Sequence, residues 1–543
     1  VTTHGHNAPA LLDRVATRSR GQNDRTARIA FVAFVIAQVT GLVFYVVKGR
    51  KVWFFGVAGD EWDFLAGRRL TLPDLLRPHG DHVVALPALV FRLLFMVFGL
   101  RTYLPYQLLA IVVHLGIAAL LRVIMRRAGV SPWIATAAAT LFVFFGAGSQ
   151  NILIAFQITF TGALVLGLTQ LLLADHDGPL DRRDAFGLVA GLGSVLCSDV
   201  ALVMIAAVGI ALILARRWRA AALHVVPLAV IFAGWSAGYA RKTHPTFELA
   251  HVETAVRTTV TSTFRALGQV PFAGWVLAAV LLAGMTLAWR DTPHAERRLR
   301  LDSALALLAG AFAFVLIIAV TRGGLRVQSL ASSRYLYVVA AMLLPALAVG
   351  SDAIVRRRRA LGPVVLALLL VGIPGNIANT SRTVNPNLSR GTKRILTSLP
   401  RMALAHQVPR SLHPTLNIAG EVTVGWLLDG VQSGRIPTTS PPTPAEYATN
   451  TLRLSLEQLA GPPRSTCEPL KTPTMRRLQN GQSISIAGTL GMQLLANNTH
   501  STTGWLPFGG LLLTPRAPTY TLRADTGPLD LRIRPQSGTA ALC

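Results

Sequence analysis

The sequence predicts an α-helical polytopic membrane protein with about eleven transmembrane helices, followed by a small extracytoplasmic C-terminal domain that is β-rich or α+β. Three observations carry this. Of 543 residues, 52% are hydrophobic and only 14% charged, a balance outside the range of soluble domains. Long stretches carry no charge, and arginines gather in short clusters between them. After residue 374 the chain becomes rich in Pro, Thr, Ser and Asn and loses its long apolar runs, as a water-exposed domain does.

Residues 1–28 read as a basic cytoplasmic tail carrying Arg14, Arg18, Arg20, Arg25 and Arg28. The first apolar stretch starts near residue 29 and lacks a small-residue cleavage site, so it is expected to stay as an anchor. Candidate spans are 29–48, 104–121, 132–147, 157–174, 185–198, 200–215, 221–240, 272–289, 303–320, 335–350 and 360–374. Basic clusters follow at every second boundary: Arg122, Arg126 and Arg127, then Arg182 and Arg183, Arg216 to Arg219, Arg290 to Arg300, and Arg356 to Arg359. Such clusters mark the cytoplasmic side. The net charge of +27 is thereby explained as a topology signal, and no nucleic-acid partner is expected.

Two segments decide the count. Residues 83–99 are apolar enough to span but hold Arg92 near the middle. If they crossed, Arg126 and Arg127 would face outward, so they read as a juxtamembrane or re-entrant helix with Arg92 turned to water or protein. Residues 185–215 are too long for one ordinary span and have arginines at both ends, which favours a hairpin of two short spans tipped by Asp199.

The remaining domain boundaries follow. Residues 29–374 form the transmembrane domain, 49–103 its outward first loop, and 375–543 the C-terminal domain. In the last, residues 482–495 and 519–533 alternate polar and apolar positions as strands do, and 445–459 suit a helix. Cys467 and Cys543 both fall there, where a disulfide is permitted, while Cys197 lies in an apolar segment.

The threading sets two polar loops outside. The first carries Asp60, Glu61, Trp62, Asp63 and Phe64, then His79, Asp81 and His82. A carboxylate beside aromatic rings at a membrane surface gains basicity and suits a general base, although acidic loops of this kind also occur as solvated caps. His79, Asp81 and His82 are of types that ligate divalent metals, but the run is short for convergence on one ion, and hydrogen bonding or substrate contact is the favoured reading. The second loop carries Arg322, Arg326, Arg334 and Tyr335. Outward guanidinium groups fit a lipid phosphate, whether a specific ligand or ordinary headgroups. Gln157, between the third and fourth spans, is a further cavity candidate, as are Asp63, Asp81 and Asp199. His244, Glu248 and His251 could share a helical face, with a solvated surface explaining them equally well. No metal or other cofactor is assigned.

An Asp/Glu pair after the first span, interfacial helices, the stretch HGDHVVALPALVFRLLFMVFG at 79–99 and the late SSRYLY at 332–337 together resemble GT-C glycosyltransferases. The likeness is to the protein-mannosyltransferase-like branch and its bacterial relatives, and it covers roughly residues 29–375. It implies a GT-C-like helical arrangement and transfer of a hexosyl or pentosyl group from a polyprenyl-phosphate-linked donor to an extracytoplasmic glycan, lipid or protein. It further implies that Asp60 acts as general base with Glu61 assisting or replacing it, and that Arg322, Arg326 or Arg334 stabilises the departing phosphate. His79 and His82 become donor contacts, although Gly80 and Asp81 depart from the family's pattern. Membrane lipids are the other expected partners, and a bacterial plasma membrane the expected location. The alternative is a transporter or flippase of a lipid-linked envelope precursor, for which intramembrane charges near mid-depth would be expected. Only Arg92 and Asp199 are ambiguous in this respect.

Overall fold

A computed structural model describes residues 8–49, 53–54, 60–239, 249–322, 331–380, 386–415, 419–438, 441–459, 468–470, 473–487, 490–495, 505–513, 519–522, 528–535 and 540–542. The chain divides into two compact units. The first comprises Val1–Arg50, Leu75–Pro87 and Tyr106–Val384, the second Lys51–Asp74, Ala88–Pro105 and Asn385–Cys543.

The first unit is built of helices: α1 (Ala8–Phe44), the start of α2 (Ala85–Phe98), α3 (Leu104–Arg127), α4 (Pro132–Val143), α5 (Ser149–Leu153), α6 (Ile158–Ala174), α7 (Arg182–Val195), α8 (Val200–Leu214), α9 (Trp218–Tyr239), α10 (Leu249–Gly268), α11 (Ala273–Asp291), α12 (His294–Arg322), α13 (Ser333–Arg357), α14 (Gly362–Leu370) and α15 (Ile373–Thr380). Among the described residues, nine helical segments are long and apolar enough to cross a bilayer, and the chain is a multi-pass membrane protein. The shorter α7 and α8, of 14 and 15 residues, occupy the other two segments of the expected eleven, α8 being the apolar one. They are the hairpin predicted over 185–215, with Asp199 at the corner. Helix α2 has 14 residues and rises only about 21 Å, too little for the hydrocarbon core. Its Arg92 donates to the carbonyl of Leu65 and so turns to protein.

Hydropathy alone does not mark α10, because its apolar face is narrow. Ala255, Thr259, Thr263 and Ala266 are buried while Arg257 and Arg265 are exposed, the spacing of an amphipathic helix.

Helix α13 is the centre of the unit, 89% of its apolar window being buried, with α11 and α12 packed against it. The approach of α11 to α13 depends on two small residues: a methyl group on Gly284 would come within 2.4 Å of the Gly350 carbonyl oxygen. Apolar helices gain little by leaving lipid for one another, so close packing of this kind supplies much of their association. Gly284→Val is therefore expected to cost about 1–3 kcal/mol, measured as a lower midpoint of thermal unfolding in detergent, while valine at the unobstructed Gly234 should cost far less.

The basic clusters meet at one end of this unit. Asp24 of α1 pairs with Arg126 of α3 at 3.2 Å. Asp352 of α13 binds Arg356 at 2.5 Å, Arg300 of α12 at 3.1 Å, and the backbone N–H of Ser131, just before α4, at 2.9 Å. Asp184, in the first turn of α7, faces His176 at 3.0 Å, His224 of α9 at 3.3 Å and Arg217 at 3.9 Å. The alternation read from the arginines is thus realised as a shared ionic layer.

The described part of the second unit includes α16 (Pro386–Ser398), α17 (Val424–Gln432) and α18 (Pro444–Ser455). These are followed by β1 (Leu456–Leu459), β2 (Glu468–Leu470), β3 (Thr474–Leu478), β4 (Ser483–Ala487), β5 (Leu490–Leu495), β6 (Trp505–Leu513), β7 (Thr519–Leu522), β8 (Leu529–Pro535) and β9 (Ala540–Leu542). They form two antiparallel sheets, ordered β1-β7-β4-β9-β2 and β3-β8-β5-β6. The alternation predicted over 482–495 resolves into β4 and β5, and that over 519–533 into β7 and β8. The helix expected over 445–459 stops at Ser455, because residues 456–459 pair with β7 in the register Leu456 to Leu522. Cys467 and Cys543 lie outside the described residues; Cys197 is a buried free thiol.

Thr443 and Glu446 cap α18 reciprocally, the Thr443 N–H donating to Glu446 at 2.9 Å, and Arg394 of α16 pairs with Glu446 at 2.5 Å. Burial works to raise this carboxyl, but the Thr443 donors and the Arg394 charge outweigh it and hold Glu446 below the ordinary carboxylate range. A depressed folded-state value means that the stabilisation is present above the unfolded value and is lost as pH falls through the folded one. Glu446→Gln is expected to cost about 1 kcal/mol at neutral pH. In thermal unfolding at stepped pH, its difference from wild type should vanish on acidification.

Candidate active site

Asp60, Glu61 and Asp63 belong to the second unit, on or directly after a helical turn Asp60–Trp62 backed by aromatic rings. Trp53 stands 5.2 Å from Phe54 and 5.9 Å from Trp62, and Phe54 stands 4.9 Å from Tyr103. The Trp53 indole N–H donates to the Leu100 carbonyl at 2.7 Å. Aromatic burial on this scale fixes a short segment that lacks a long helix of its own.

The three carboxylates then separate by role. Glu61 is buried and receives the Tyr103 hydroxyl. Asp63 is buried in a two-point pair with Arg68, at 2.6 and 2.9 Å, and Arg68 also donates to the Asp74 carbonyl at 2.9 Å. Asp60 is half-buried at the head of the turn. The sequence could not distinguish them, since which acid meets Tyr103 or Arg68 is decided by chain folding rather than by local pattern.

The remaining described candidates lie in the first unit, at the end opposite the ionic layer, where α6, α8 and α13 begin. His79 and His82 exchange two backbone hydrogen bonds, at 3.0 and 3.1 Å, around a two-residue turn in which Gly80 has φ +59°, a conformation that costs glycine least. Asp81 sits half-buried at the tip. The His79 ring lies 5.3 Å from Phe156, next to the buried Gln157. His82 turns its Nδ1 to Asp199 at 2.7 Å.

On α13, Ser333 Oγ accepts from the Gln150 N–H at 3.2 Å, and Asn151 Nδ2 donates to the Arg334 carbonyl at 3.3 Å. The Arg334 guanidinium lies over the Tyr335 ring at 5.0 Å, and Tyr335 is 6.3 Å from Phe160 of α6. Arg322 ends α12, its side chain lying outside the described residues, as does all of Arg326; His244 and Glu248 lie outside them too.

Several buried polar atoms at this end have no hydrogen-bond partner among the described residues: Arg334 Nε, Asn151 Oδ1, Gln157 Oε1 and Asp199 Oδ1. Folded chains rarely leave such groups unpaired, and a concentration of them marks a place where a polar ligand completes the bonding. Beside it runs an apolar groove of about 680 Å³ between α10 and α11, lined by Phe264, Arg265, Phe272, Trp275 and Leu282. Its head is joined to this end through Asn376, which donates to the Ala266 carbonyl at 3.0 Å and accepts from the Ala147 N–H at 2.9 Å. A polar hollow of about 410 Å³ continues along α10 past Arg257 and Arg265. Sequence reasoning missed the groove because α10 carries no strong hydropathy signal.

Among the described residues, the side chains whose ligating atoms converge as a metal would require are His176, Asp181 and Asp184, and they lie in the ionic layer rather than here.

No described protein family and no curated protein matches the chain. Two solved structures of ArnT from Cupriavidus metallidurans are similar to it. The apo state has 13% identity and a TM-score of 0.44, covering 76% of this chain and 90% of that one. The state bound to undecaprenyl phosphate has 14% identity and a TM-score of 0.43, covering 75% and 89%. At these values the likeness carries neither substrate nor mechanism.

Proposed function

We propose that this chain is a GT-C-type membrane glycosyltransferase that moves a hexosyl or pentosyl group from a polyprenyl-phosphate-linked donor to an extracytoplasmic glycan, lipid or protein of the bacterial envelope. The observation that carries the reading is the conjunction, at one end of the first unit, of buried unpaired polar groups on Arg334, Gln157 and Asn151 with a long apolar groove. A phosphate-bearing lipid matches both halves: its charged head suits the guanidinium and amides, and its tail suits the groove. The positive-inside rule supports placing the ionic layer in the cytoplasm, and hence this end and the C-terminal domain outside a plasma membrane.

In this scheme the acceptor hydroxyl attacks the anomeric carbon while Asp60 takes its proton, the role that the sequence resemblance implies. The bond from that carbon to the phosphate oxygen breaks, its electron pair stays on oxygen, and Arg334 offsets the charge that develops.

The test is transfer of labelled sugar by the purified protein in lipid nanodiscs, across a panel of hexosyl and pentosyl polyprenyl phosphates. Transfer from at least one donor is expected. Movement of the intact lipid across the bilayer without sugar transfer would replace this reading with the flippase.

A further inference from the structure

We propose that His82, held by Asp199, is a general acid that protonates the phosphate leaving the sugar. The inference rests on the glycosyltransferase reading for its substrate, and on side-chain geometry for the residue.

Asp199 stands at the N-cap of α8, where an aspartate ordinarily accepts a backbone N–H of the first turn. Here its side chain makes no capping bond. Ser198 Oγ accepts the Val200 N–H instead, at 3.2 Å, and the Asp199 carboxylate turns to a histidine 117 residues earlier in the chain. The histidine is held as firmly. Its backbone is locked to His79, and the Leu86 N–H donates to the Leu196 carbonyl at 3.0 Å, joining the segment to the α7–α8 corner.

With Nδ1 committed to a carboxylate, the tautomer and ring orientation are set, and Nε2 is the atom left for chemistry. No described residue hydrogen-bonds it, and the side chain is 34% exposed. The contrast with His176 is informative. That ring bonds through both nitrogens, Nδ1 to the Asp177 carbonyl and Nε2 to Asp184, and is 5% exposed, as a structural histidine is. Among the described residues, His79 lies across the turn from His82, Asp81 at its tip and Asp199 at the adjoining corner.

The setting favours an acid over a base. Helices α6, α8 and α13 present their N-termini at this end, and Arg334 adds a full charge, so an anion is drawn here. Asp199 places a carboxylate oxygen 2.7 Å from Nδ1, opposite in sign to these groups. When the bond between the anomeric carbon and the phosphate oxygen breaks, the Nε2 proton passes to that oxygen. The lipid departs as a monoprotonated phosphate, the acceptor's proton remains on Asp60, and His82 regains its own proton from water.

The experiment compares wild type with His82→Gln and Asp199→Asn in sugar transfer across pH, together with pH-dependent binding of undecaprenyl phosphate alone. His82→Gln is expected to lower kcat by about 100-fold or more, with a much smaller change in KM, and to remove the loss of rate with rising pH that the proposal expects of wild type. Asp199→Asn should lower kcat with little change in KM, a split that loss of a merely structural carboxylate would not produce. Wild-type binding of undecaprenyl phosphate should weaken on the alkaline side, and His82→Gln should bind it without that dependence. An unchanged pH profile and kcat in His82→Gln, or identical pH dependence of lipid binding in both proteins, overturns the inference while leaving the transferase reading intact. Absence of transfer by wild type removes the transferase reading, and the binding arm still decides whether His82 pairs with phosphate.

Discussion

Asp60→Asn is expected to reduce sugar transfer by about 100- to 10,000-fold, while the protein keeps its unfolding temperature. The asparagine is nearly the same shape but cannot take a proton. The turn has anchors besides this carboxylate: Glu61 ties it to Tyr103, Asp63 to Arg68, and Trp62 is fully buried. Donor binding should change little, which separates loss of a base from loss of the lipid site in a kcat and KM comparison. Undiminished kcat in Asp60→Asn would remove it from the role; of its two acidic neighbours on the same segment, Glu61 and Asp63, both are buried.

The largest effect on stability is expected within the first unit. Asp184 is 1% exposed and is shared by His176, His224, Arg217 and the Asp181 backbone N–H, the last at 2.8 Å. Asp184→Ala leaves these donors facing one another in a buried space, and removing one partner from such a group costs about 3–5 kcal/mol. Asp184→Asn retains an oxygen that can accept some of these bonds and should fall between the alanine variant and wild type. Both are read from thermal unfolding in detergent; equal midpoints for wild type and Asp184→Ala would show that the four donors find water or one another without penalty.

Much of the helical architecture was legible because its signals are additive along the chain. A run of apolar residues long enough for a bilayer needs no knowledge of its neighbours, and arginines at alternate ends report orientation independently of packing. The hairpin over α7 and α8 could be read on those grounds, since one helix would have left Asp199 in mid-membrane and basic residues on both sides. The sheets were legible only as alternation. That residues 456–459 leave the helix to pair with β7 depends on a partner some sixty residues later, and long-range pairing overrides local preference.

The candidate site was legible as residue types and not as relationships. Asp60, Glu61 and Asp63 look equivalent in the sequence, and only the positions of Tyr103 and Arg68 distinguish them. His82 and Asp199 were noted separately, for a phosphate and for a cavity, because nothing in either segment announces the other. Arg257 and Arg265 passed unnoticed since they lie on a helix whose apolar face is made partly of threonine.

The bonds around Asp352 also set an order of events. Ser131 and Arg300 are its partners, and both leave the ribosome well before it does. Until α13 is made, the start of α4 and the start of α12 lack this common anchor. The part of the ionic layer built on Asp352 closes only when that residue arrives, whereas the pairs of Asp24 and Asp184 need only segments made earlier.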